Sequence, residues 1–261
     1  MFRLSREVRF AINSVPDNQL LHKPSNSYGG FPTLNGLGHW FSLAITLVGE
    51  IDPQTNYLRN IKEIDDVVRQ RAVPLVDRAI RDGRFGGGAG VLGEMFELLG
   101  NAWPGTSLEW LKLSLSPFLV LSVKAVEFPM IRLSQRFEFS ASHRLHNPAL
   151  SDEANRACFG KCNNPAGHGH NYEVQVTISG KPDGDGSLVC VPDLERIVAR
   201  TVIDRLDHKH LNLEVPEFAS LNPTVENIAK IIFSLLKPRI ASLSSVTVWE
   251  TPKTWCEYSE N

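Results

Sequence analysis

Three histidines in the middle of the chain have the spacing of a metal site. His168 and His170 stand two residues apart where an alternating apolar pattern begins, and residues two apart on a strand project from the same face. His143 ends a second alternating run, so a neighbouring strand would bring a third imidazole to the same point. Three neutral imidazoles with an open fourth position form a catalytic Zn²⁺ site rather than a structural one. The sequence therefore predicts zinc bound by His143, His168 and His170.

The elements that must position these histidines follow the order strand, strand, helix, helix, strand, strand. In the second half of the chain, the apolar patterns predict strands at 131–141, 170–180, 245–251 and 254–258, with helices at 192–206 and 224–236. Thr224 is the expected N-cap of the second helix, and Lys237-Pro238 marks its end. We therefore predict an α+β unit, in which two helices cover one face of a four-stranded antiparallel sheet.

The first half repeats this pattern with weak identity. Residues 3–10 align with 132–139, and residues 36–49 align with 167–180. An amphipathic helical pattern follows in both halves, and the later segments also keep their order. We therefore predict a tandem duplication, with a first unit at 1–126 and a second at 127–261.

The first unit lacks the side chains that would bind zinc. Ser14 and Leu37 align with His143 and His168, and His39 is the one histidine that is retained. A single imidazole cannot hold a catalytic zinc ion. We expect the first unit to keep the fold without the catalytic site.

A glycine run at 86–90 precedes the third helical pattern of the first unit. It lacks the Gly-Lys-Ser/Thr ending of a phosphate-binding loop and follows no strand pattern. We expect a flexible connection here, leading into a helix that starts near Val91.

Composition excludes several classes of partner and setting. The net charge of −2 gives no bulk attraction to nucleic acid or to an anionic membrane. The most apolar stretch, at 117–133, is broken by Lys124, Glu127 and Pro129, so it is too polar to span a bilayer. Four cysteines without a disulfide pattern, and a charged N-terminus, favour a cytoplasmic protein.

A family resemblance rests on five segments in a fixed order: FSASHRL, FGKCNNPAGHGHNYEVQVTISG, LDHKHLN, NPTVENIA and VTVWET. Together they resemble 6-pyruvoyl tetrahydropterin synthase and its relative 6-carboxytetrahydropterin synthase, over roughly residues 131–255. The resemblance implies the tunnelling fold, or T-fold, whose units join edge to edge into a barrel. It also implies active sites at the junctions between subunits.

The resemblance assigns proton-transfer roles to three further residues. Cys162, six residues before His168, matches the family's catalytic cysteine, and the neighbouring Lys161 would favour its thiolate. Asp207 and His208 resemble the partners of that cysteine in a proton relay. An isolated Asp-His pair is more commonly a solvated helix end, so the assignment depends on the accompanying motifs.

Other residues resemble the family's substrate contacts. Glu250, at the end of a predicted strand, would grip the pterin ring by a two-point hydrogen bond. Thr224 and Glu226 resemble the helix start that helps to bind the ring, although an acid there is also favoured by the helix dipole. Lys161 is a candidate contact for the triphosphate, and His210 is expected to be a surface residue.

The resemblance implies a zinc-dependent lyase that converts 7,8-dihydroneopterin triphosphate to 6-pyruvoyltetrahydropterin and releases triphosphate. The six-residue spacing of Cys162 and His168 favours this reaction. One alternative is a 6-carboxytetrahydropterin synthase of queuosine or 7-deazapurine biosynthesis. Another, suggested by the altered first unit, is a non-catalytic protein that binds pterins or acts as a scaffold.

The unpaired sheet edges of each unit predict a homo-oligomer. The family's single-unit members are expected to form three-membered rings that stack in pairs. Three two-unit chains would supply one ring of first units and one ring of second units. We therefore expect three chains or a multiple of three.

Overall fold

The computed structural model describes residues 1–14 and 26–260 and divides into two units. One comprises Met1–Ser134 with Ser179–Leu188, and the other comprises Gln135–Ile178 with Val189–Asn261. The domain boundary expected at residue 126 stays a prediction. Within the described residues, no helix is both long and apolar enough to cross a membrane.

In the first unit, four strands lie in the order β1-β2-β3-β4, and each pairs antiparallel with the next. Helix α3 packs against β3 and β4, and a π-helical turn at Val68–Ala72 joins α1 to α2. The elements are β1 Phe2–Asn13, β2 Gly38–Gly49, α1 Ile61–Val67, α2 Val73–Arg81, α3 Gly88–Leu99, β3 Thr106–Ser114 and β4 Leu119–Lys124.

In the second unit, the strand order is β5-β6-β8-β9, and the short β7 pairs with β5. β8 pairs antiparallel with both β6 and β9, and α8 packs on β8 and β9. The elements are β5 Ile131–His143, α4 Asp152–Phe159, β6 His168–Gly180, α5 Val191–Val198, α6 Asp204–Leu206, β7 Lys209–His210, α7 Leu211–Glu214, α8 Val225–Leu236, β8 Leu243–Thr251 and β9 Thr254–Tyr258. This confirms an antiparallel sheet with helices; α4, β7 and α7 are additions to the predicted pattern.

The predicted alternation is present in the strand that carries two of the histidines. Tyr172, Val174 and Val176 are fully buried on one face of β6. The predicted cap of α8 is also present, because the Thr224 hydroxyl accepts a hydrogen bond from the Asn227 N–H. The helix ends at Leu236, as predicted. Local sequence therefore sets both the strand face and the helix start on which the site depends.

Each unit contains an aromatic stack between its first two strands. Phe10 and Phe41 stack with ring centroids 5.2 Å apart in the first unit. Phe139 and Tyr172 stack at 4.9 Å in the second. Both pairs fall at positions that the sequence alignment makes equivalent, so the two cores are organised around the same contact.

In each unit a polar contact also joins the first strand to a helix, α1 in the first unit and α5 in the second. Arg6 forms a bidentate ion pair with Asp65, with both N···O distances 2.8 Å. Gln135 Nε2 donates to Glu195 Oε1 at 2.5 Å in the second unit. A π-helical turn lies within the first long helix of each unit, at Val68–Ala72 and at Ala199–Ile203.

The glycine run at 86–90 is not the flexible connection that the sequence predicts. Residues Arg84–Gly87 form a 3₁₀ turn, and α3 begins at Gly88 rather than near Val91. Local propensity is misleading here because the glycines are needed for a tertiary contact.

That contact is with the loop at 183–187, which belongs to the first unit. The Gly90 N–H donates to the Gly186 carbonyl oxygen at 2.8 Å. A Cβ atom on Gly87 would lie 2.1 Å from the backbone oxygen of Asp185, far inside van der Waals contact. The absence of a side chain at Gly87 and Gly90 therefore permits the loop to approach the helix.

We expect Gly87→Ala to lower the free energy of unfolding by about 1–3 kcal/mol, the usual cost of overpacking. The new methyl group would meet backbone atoms, which cannot rotate away. Urea unfolding followed by circular dichroism measures the change.

Gly93→Ala is the matched control, since Gly93 lies in α3, which begins directly after Gly87, and a Cβ atom there meets nothing within 4 Å. It should leave stability unchanged or raise it by about 0.5–1 kcal/mol. Equal stability of the Gly87→Ala and Gly93→Ala proteins would contradict the proposed contact.

Candidate active site

The three histidines predicted as metal ligands lie together in the second unit. His143 is the last residue of β5, and His168 and His170 open β6. His143 Nε2 lies 3.0 Å from His168 Nε2, and one ligand atom from each ring falls within 4.8 Å of the others. Across residues 1–14 and 26–260, this is the one cluster of three or more histidine, cysteine or acidic side chains close enough to share a metal ion.

His143 is held with its Nε2 lone pair directed at the cluster. Its ring is fully buried, and Nδ1 lies 2.7 Å from the carbonyl oxygen of Pro223. A carbonyl can only accept a hydrogen bond, so Nδ1 carries the proton and Nε2 is free to bind a metal. Burial lowers the pKa of His143 to about 4, which keeps the ring neutral at physiological pH.

His170 completes a donor set that fits a zinc ion. Its Nε2 atom is buried and has no hydrogen-bond partner in the described part of the chain. Burial lowers the pKa of His170, although the Glu250 charge opposes this effect. Tetrahedral zinc with Zn–N bonds of about 2.0–2.1 Å needs nitrogen atoms about 3.3 Å apart, and the separation of His143 and His168 is close to that value.

Glu250 lies against the histidine cluster. Its Oε1 atom is 3.4 Å from His143 Nε2 and 3.7 Å from His170 Nε2. On β8, Glu250 directly follows Trp249, which pairs with Glu173 of β6. The carboxylate therefore borders the position that a metal ion and its bound substrate atoms would occupy.

Tyr172 was missed by the sequence analysis, although it continues the two-residue spacing of His168 and His170. Its ring centroid lies 5.5 Å from that of His170 and 6.2 Å from that of His143. The hydroxyl is buried without a hydrogen-bond partner among the described residues. Burial, reinforced by the charges of Glu250 and Cys162, raises the pKa of Tyr172.

Cys162 lies in a 3₁₀ turn, Gly160–Asn163, and is half-buried. Its carbonyl oxygen accepts a hydrogen bond of 2.8 Å from the Leu145 N–H. The turn therefore holds the cysteine beside the loop that follows His143.

Asp207 and His208 form a pair whose geometry suits proton transfer. The two side chains meet at 2.8 Å, between Asp207 Oδ2 and His208 Nδ1. The Ser140 N–H donates to Asp207 Oδ1 at 2.8 Å; this bond, followed by the His208 contact, lowers the pKa of Asp207. His208 has a positive φ of 56° and a side chain that is 82% exposed. Its Nε2 atom is thus free to meet another molecule.

Among the residues at 26–260, no hydrogen bond or ion pair links Cys162 with Asp207 or His208. His208 lines a cavity of about 530 Å³ whose lining also includes Asn171 and the ligand histidine His170. Asn171 alternates along β6 with His170, so its side chain is on the opposite face from the histidine cluster.

The remaining predicted contacts surround the start of α8 and the Cys162 turn. Thr224 follows Pro223, the residue whose carbonyl holds His143, and its side chain caps α8. Glu226 is exposed in the first turn of that helix, and Lys161 is exposed beside Cys162.

His210 is not the surface residue that the sequence predicts. It is half-buried, and its Nδ1 atom is buried without a hydrogen-bond partner in the described chain. Its Nε2 atom lies against Gly167, where an added Cβ would be 2.9 Å away. The parallel pairing of β7 with β5 carries the ring inward, because it sets His210 beside Ser142.

Known proteins similar to this chain match about half of its length. The family model described as 6-pyruvoyl tetrahydropterin synthase matches residues 132–261. Human 6-pyruvoyl tetrahydrobiopterin synthase is 45% identical over 123 residues, which are 46% of this chain and 85% of the human protein. The 6-carboxy-5,6,7,8-tetrahydropterin synthase of Haemophilus influenzae is 32% identical over 153 residues, covering 50% of this chain and 100% of that protein.

A solved structure also aligns with half of the chain. The 6-pyruvoyl tetrahydropterin synthase of Caenorhabditis elegans aligns at 36% identity with a TM-score of 0.49. The alignment covers 51% of this chain and 97% of that protein. The family match at 132–261 contains every residue of the candidate site.

We expect the full chain to bind about one zinc ion, held by the second unit. His168→Ala should remove the metal, because two imidazoles are an inadequate ligand set. Elemental analysis of the purified protein by mass spectrometry gives the ratio directly.

His39→Ala is the control, since His39 is the histidine that aligns with His170 in the first unit. Its metal content should equal that of the unaltered protein. A ratio near two zinc ions per chain would show that the first unit also binds metal.

Proposed function

The chain belongs to the 6-pyruvoyl tetrahydropterin synthase family, and we propose that it converts 7,8-dihydroneopterin triphosphate to 6-pyruvoyltetrahydropterin and releases triphosphate. The observation that carries this proposal is the convergence of three imidazoles and Glu250 at one end of the β5–β6 pair. The 45% identity to the human 6-pyruvoyl tetrahydrobiopterin synthase supports the pyruvoyl product.

His143, His168 and His170 would hold a zinc ion. When bound, Zn²⁺ acts as a Lewis acid that polarises substrate oxygens and acidifies the adjoining bonds. The fit of the site supports this assignment: the Pro223 carbonyl fixes the His143 tautomer, and the buried His170 Nε2 lacks another partner. These features keep the ring nitrogens available at neutral pH.

Cys162 is proposed as the base that removes a carbon-bound proton of the substrate side chain. Asp207 and His208 would pass that proton onward and return one to the product. The 2.8 Å contact of the pair fixes the His208 tautomer with Nδ1–H toward the carboxylate, leaving Nε2 to exchange protons. The reaction is an internal redox rearrangement, so it needs no external oxidant or reductant.

Carboxylates would hold the pterin ring of the substrate. Glu250, which lies 3.4 Å from His143 Nε2, would grip the ring by a two-point hydrogen bond. Thr224 and Glu226, at the start of α8, would help to bind the same ring. Lys161, exposed beside Cys162, is proposed to meet the triphosphate.

Two other functions remain as alternatives. The 32% identity to the 6-carboxy-5,6,7,8-tetrahydropterin synthase of Haemophilus influenzae supports the same substrate with a carboxy-pterin product. A non-catalytic pterin-binding or scaffolding protein is the second alternative. The geometric fit of the histidine cluster favours catalysis over this reading.

We propose that the chain is a tandem duplication of T-fold units. Three features shared by the units support this: the aromatic stack, the strand-to-helix tie and the π-helical turn. The stacked rings, and the strand residues Arg6 and Gln135 of the polar contacts, lie at aligned positions of the first two strands. The first unit, which lacks the ligand histidines, would serve as a fold-preserving, non-catalytic partner.

We further propose that the chain forms a homo-oligomer in which another copy completes the site. Two observations support this: no hydrogen bond links Cys162 with Asp207 or His208 among the described residues, and the His208 side chain is exposed. The number of chains, three or a multiple, remains a prediction. Nothing in the proposed chemistry calls for nucleic acid or a membrane.

A reducing compartment is the proposed setting. All four cysteines, Cys158, Cys162, Cys190 and Cys256, are free thiols. A thiolate base needs Cys162 to stay reduced, and a cytoplasmic location would meet that need.

Incubation of the zinc-loaded protein with 7,8-dihydroneopterin triphosphate, followed by mass spectrometry, tests the function. We expect 6-pyruvoyltetrahydropterin and triphosphate. Cys162→Ala should retain zinc and substrate binding but turn over about 10²–10⁴-fold more slowly, as loss of a general base predicts.

Cys158→Ala is the matched control, because it removes an exposed thiol from the helix just before Cys162. It should keep full activity. Carboxy-pterin with acetaldehyde would identify the first alternative, and bound but unchanged substrate would identify the second. Full turnover by Cys162→Ala would assign the base to another group.

Coexpression of Cys162→Ala and His208→Ala chains tests the shared site. Each variant alone should be inactive. In mixed particles, a working site needs an intact Cys162 from one chain and an intact His208 from its neighbour. Because half of the chains carry each group, about a quarter of the sites should be active. Light scattering should give a mass of three chains or a multiple.

Coexpression of Cys162→Ala with the Cys162→Ala/His208→Ala double variant is the control and should restore nothing. A monomeric protein, or mixed particles as inactive as the single variants, would contradict the shared site.

A further inference from the structure

The hydroxyl of Tyr172 is a polar group that the packing of the second unit does not require. In the first unit, Phe41 makes the equivalent stack on Phe10, with an interplanar angle of 23°. Tyr172 stacks on Phe139 at 13°. Both rings are buried at similar centroid separations, so a phenyl ring is sufficient for the core contact.

The Tyr172 hydroxyl is buried, and no hydrogen bond within the described chain replaces the hydration that it loses. Tyr172 is fully buried, and its oxygen has no hydrogen-bond partner among the described residues. Buried polar groups are nearly always paired, because an unpaired group loses its hydration without return. A protein that places Tyr where Phe packs equally well has therefore kept a donor for a partner outside the polypeptide.

The surroundings of Tyr172 identify where that partner binds. Its ring lies edge-on to His143 and His170, two of the three clustered histidines. Glu250 of β8 lies 3.4 Å from His143 Nε2, beside the same cluster. The Tyr172 ring thus lies directly against the histidine cluster, where the substrate oxygen would bind.

We propose that Tyr172 is a further catalytic residue of the proposed reaction, whose hydroxyl donates a hydrogen bond to the substrate side-chain oxygen held at the histidine cluster. The inference rests on the proposed function, since it concerns an oxygen of that substrate. It requires no proton transfer by the phenol, which remains protonated at neutral pH.

The chemistry explains why a donor is useful at this place. When Cys162 removes a proton from the side-chain carbon, the electron pair of that C–H bond moves into the neighbouring C=N bond of the dihydropterin ring, whose nitrogen takes up a proton. The resulting enol becomes a ketone when its O–H proton is lost and a proton is added to the ring carbon, so negative charge develops on that oxygen. A fixed donor in a site without water stabilises that charge more in the transition state than in the ground state. Glu250, an acceptor when ionised, cannot supply this hydrogen bond.

Tyr172→Phe recreates in the second unit the side chain that the first unit already uses. We expect unchanged zinc content and an unchanged melting temperature, because the stack is retained. The kcat should fall about 10²–10³-fold, as loss of one oxyanion donor predicts, with little change in KM. Triphosphate release under saturating substrate measures kcat.

Tyr258→Phe is the matched control, because it removes a phenol hydroxyl from the same unit, at a ring that packs on Phe233. It should retain normal kcat. Phe139→Leu should lower the melting temperature through loss of the stack while reducing kcat far less than Tyr172→Phe.

The outcomes separate this inference from the function on which it rests. An unaltered protein that turns over its substrate, together with an equally active Tyr172→Phe variant, would overturn the role of Tyr172 alone. The role of Tyr172 would also be overturned if Tyr172→Phe melted at so much lower a temperature that unfolding alone explained its loss of activity. An unaltered protein that fails to turn over the substrate would overturn both proposals.

Discussion

The hydrogen bond from His143 to the carbonyl oxygen of Pro223 is the contact on which the candidate site depends. It joins the end of β5 to the residue before the Thr224 cap of α8. It also fixes the tautomer, so that Nε2 of a fully buried ring faces the other histidines. Without this bond, the Nδ1–H would be buried unpaired, and neither the ring orientation nor the start of α8 beside the cluster would be defined.

The sequence alone predicts those parts of the site that follow from regular periodicity. Two-residue spacing places His168 and His170 on one face, and it extends to Tyr172 when the pattern is followed one step further. The Pro223 carbonyl has no such signal, because any residue offers a backbone oxygen. His210 is likewise invisible, since the two-residue strand that turns it inward is too short to show an alternating pattern.

The glycine run at 86–90 shows where local preference and tertiary structure disagree. Glycine is a poor helix former, so the run predicts a break. Yet α3 begins within it, and its Gly90 N–H bonds the Gly186 carbonyl, a residue nearly a hundred positions away. The start of α3 is therefore set by a tertiary contact that a local stretch of sequence does not show. The start of α8, in contrast, is set by the side chain of Thr224 itself.

The two units together separate what the fold requires from what the chemistry requires. Both keep an aromatic stack between their first two strands and a polar tie from strand to helix. The metal-ligand positions that differ lie at the ends of those strands, where Ser14 and Leu37 align with the ligand histidines His143 and His168. Leu37 is 90% exposed, so a change there costs the core little packing. Catalytic groups at the strand ends can therefore be lost while the sheet and its buried face persist.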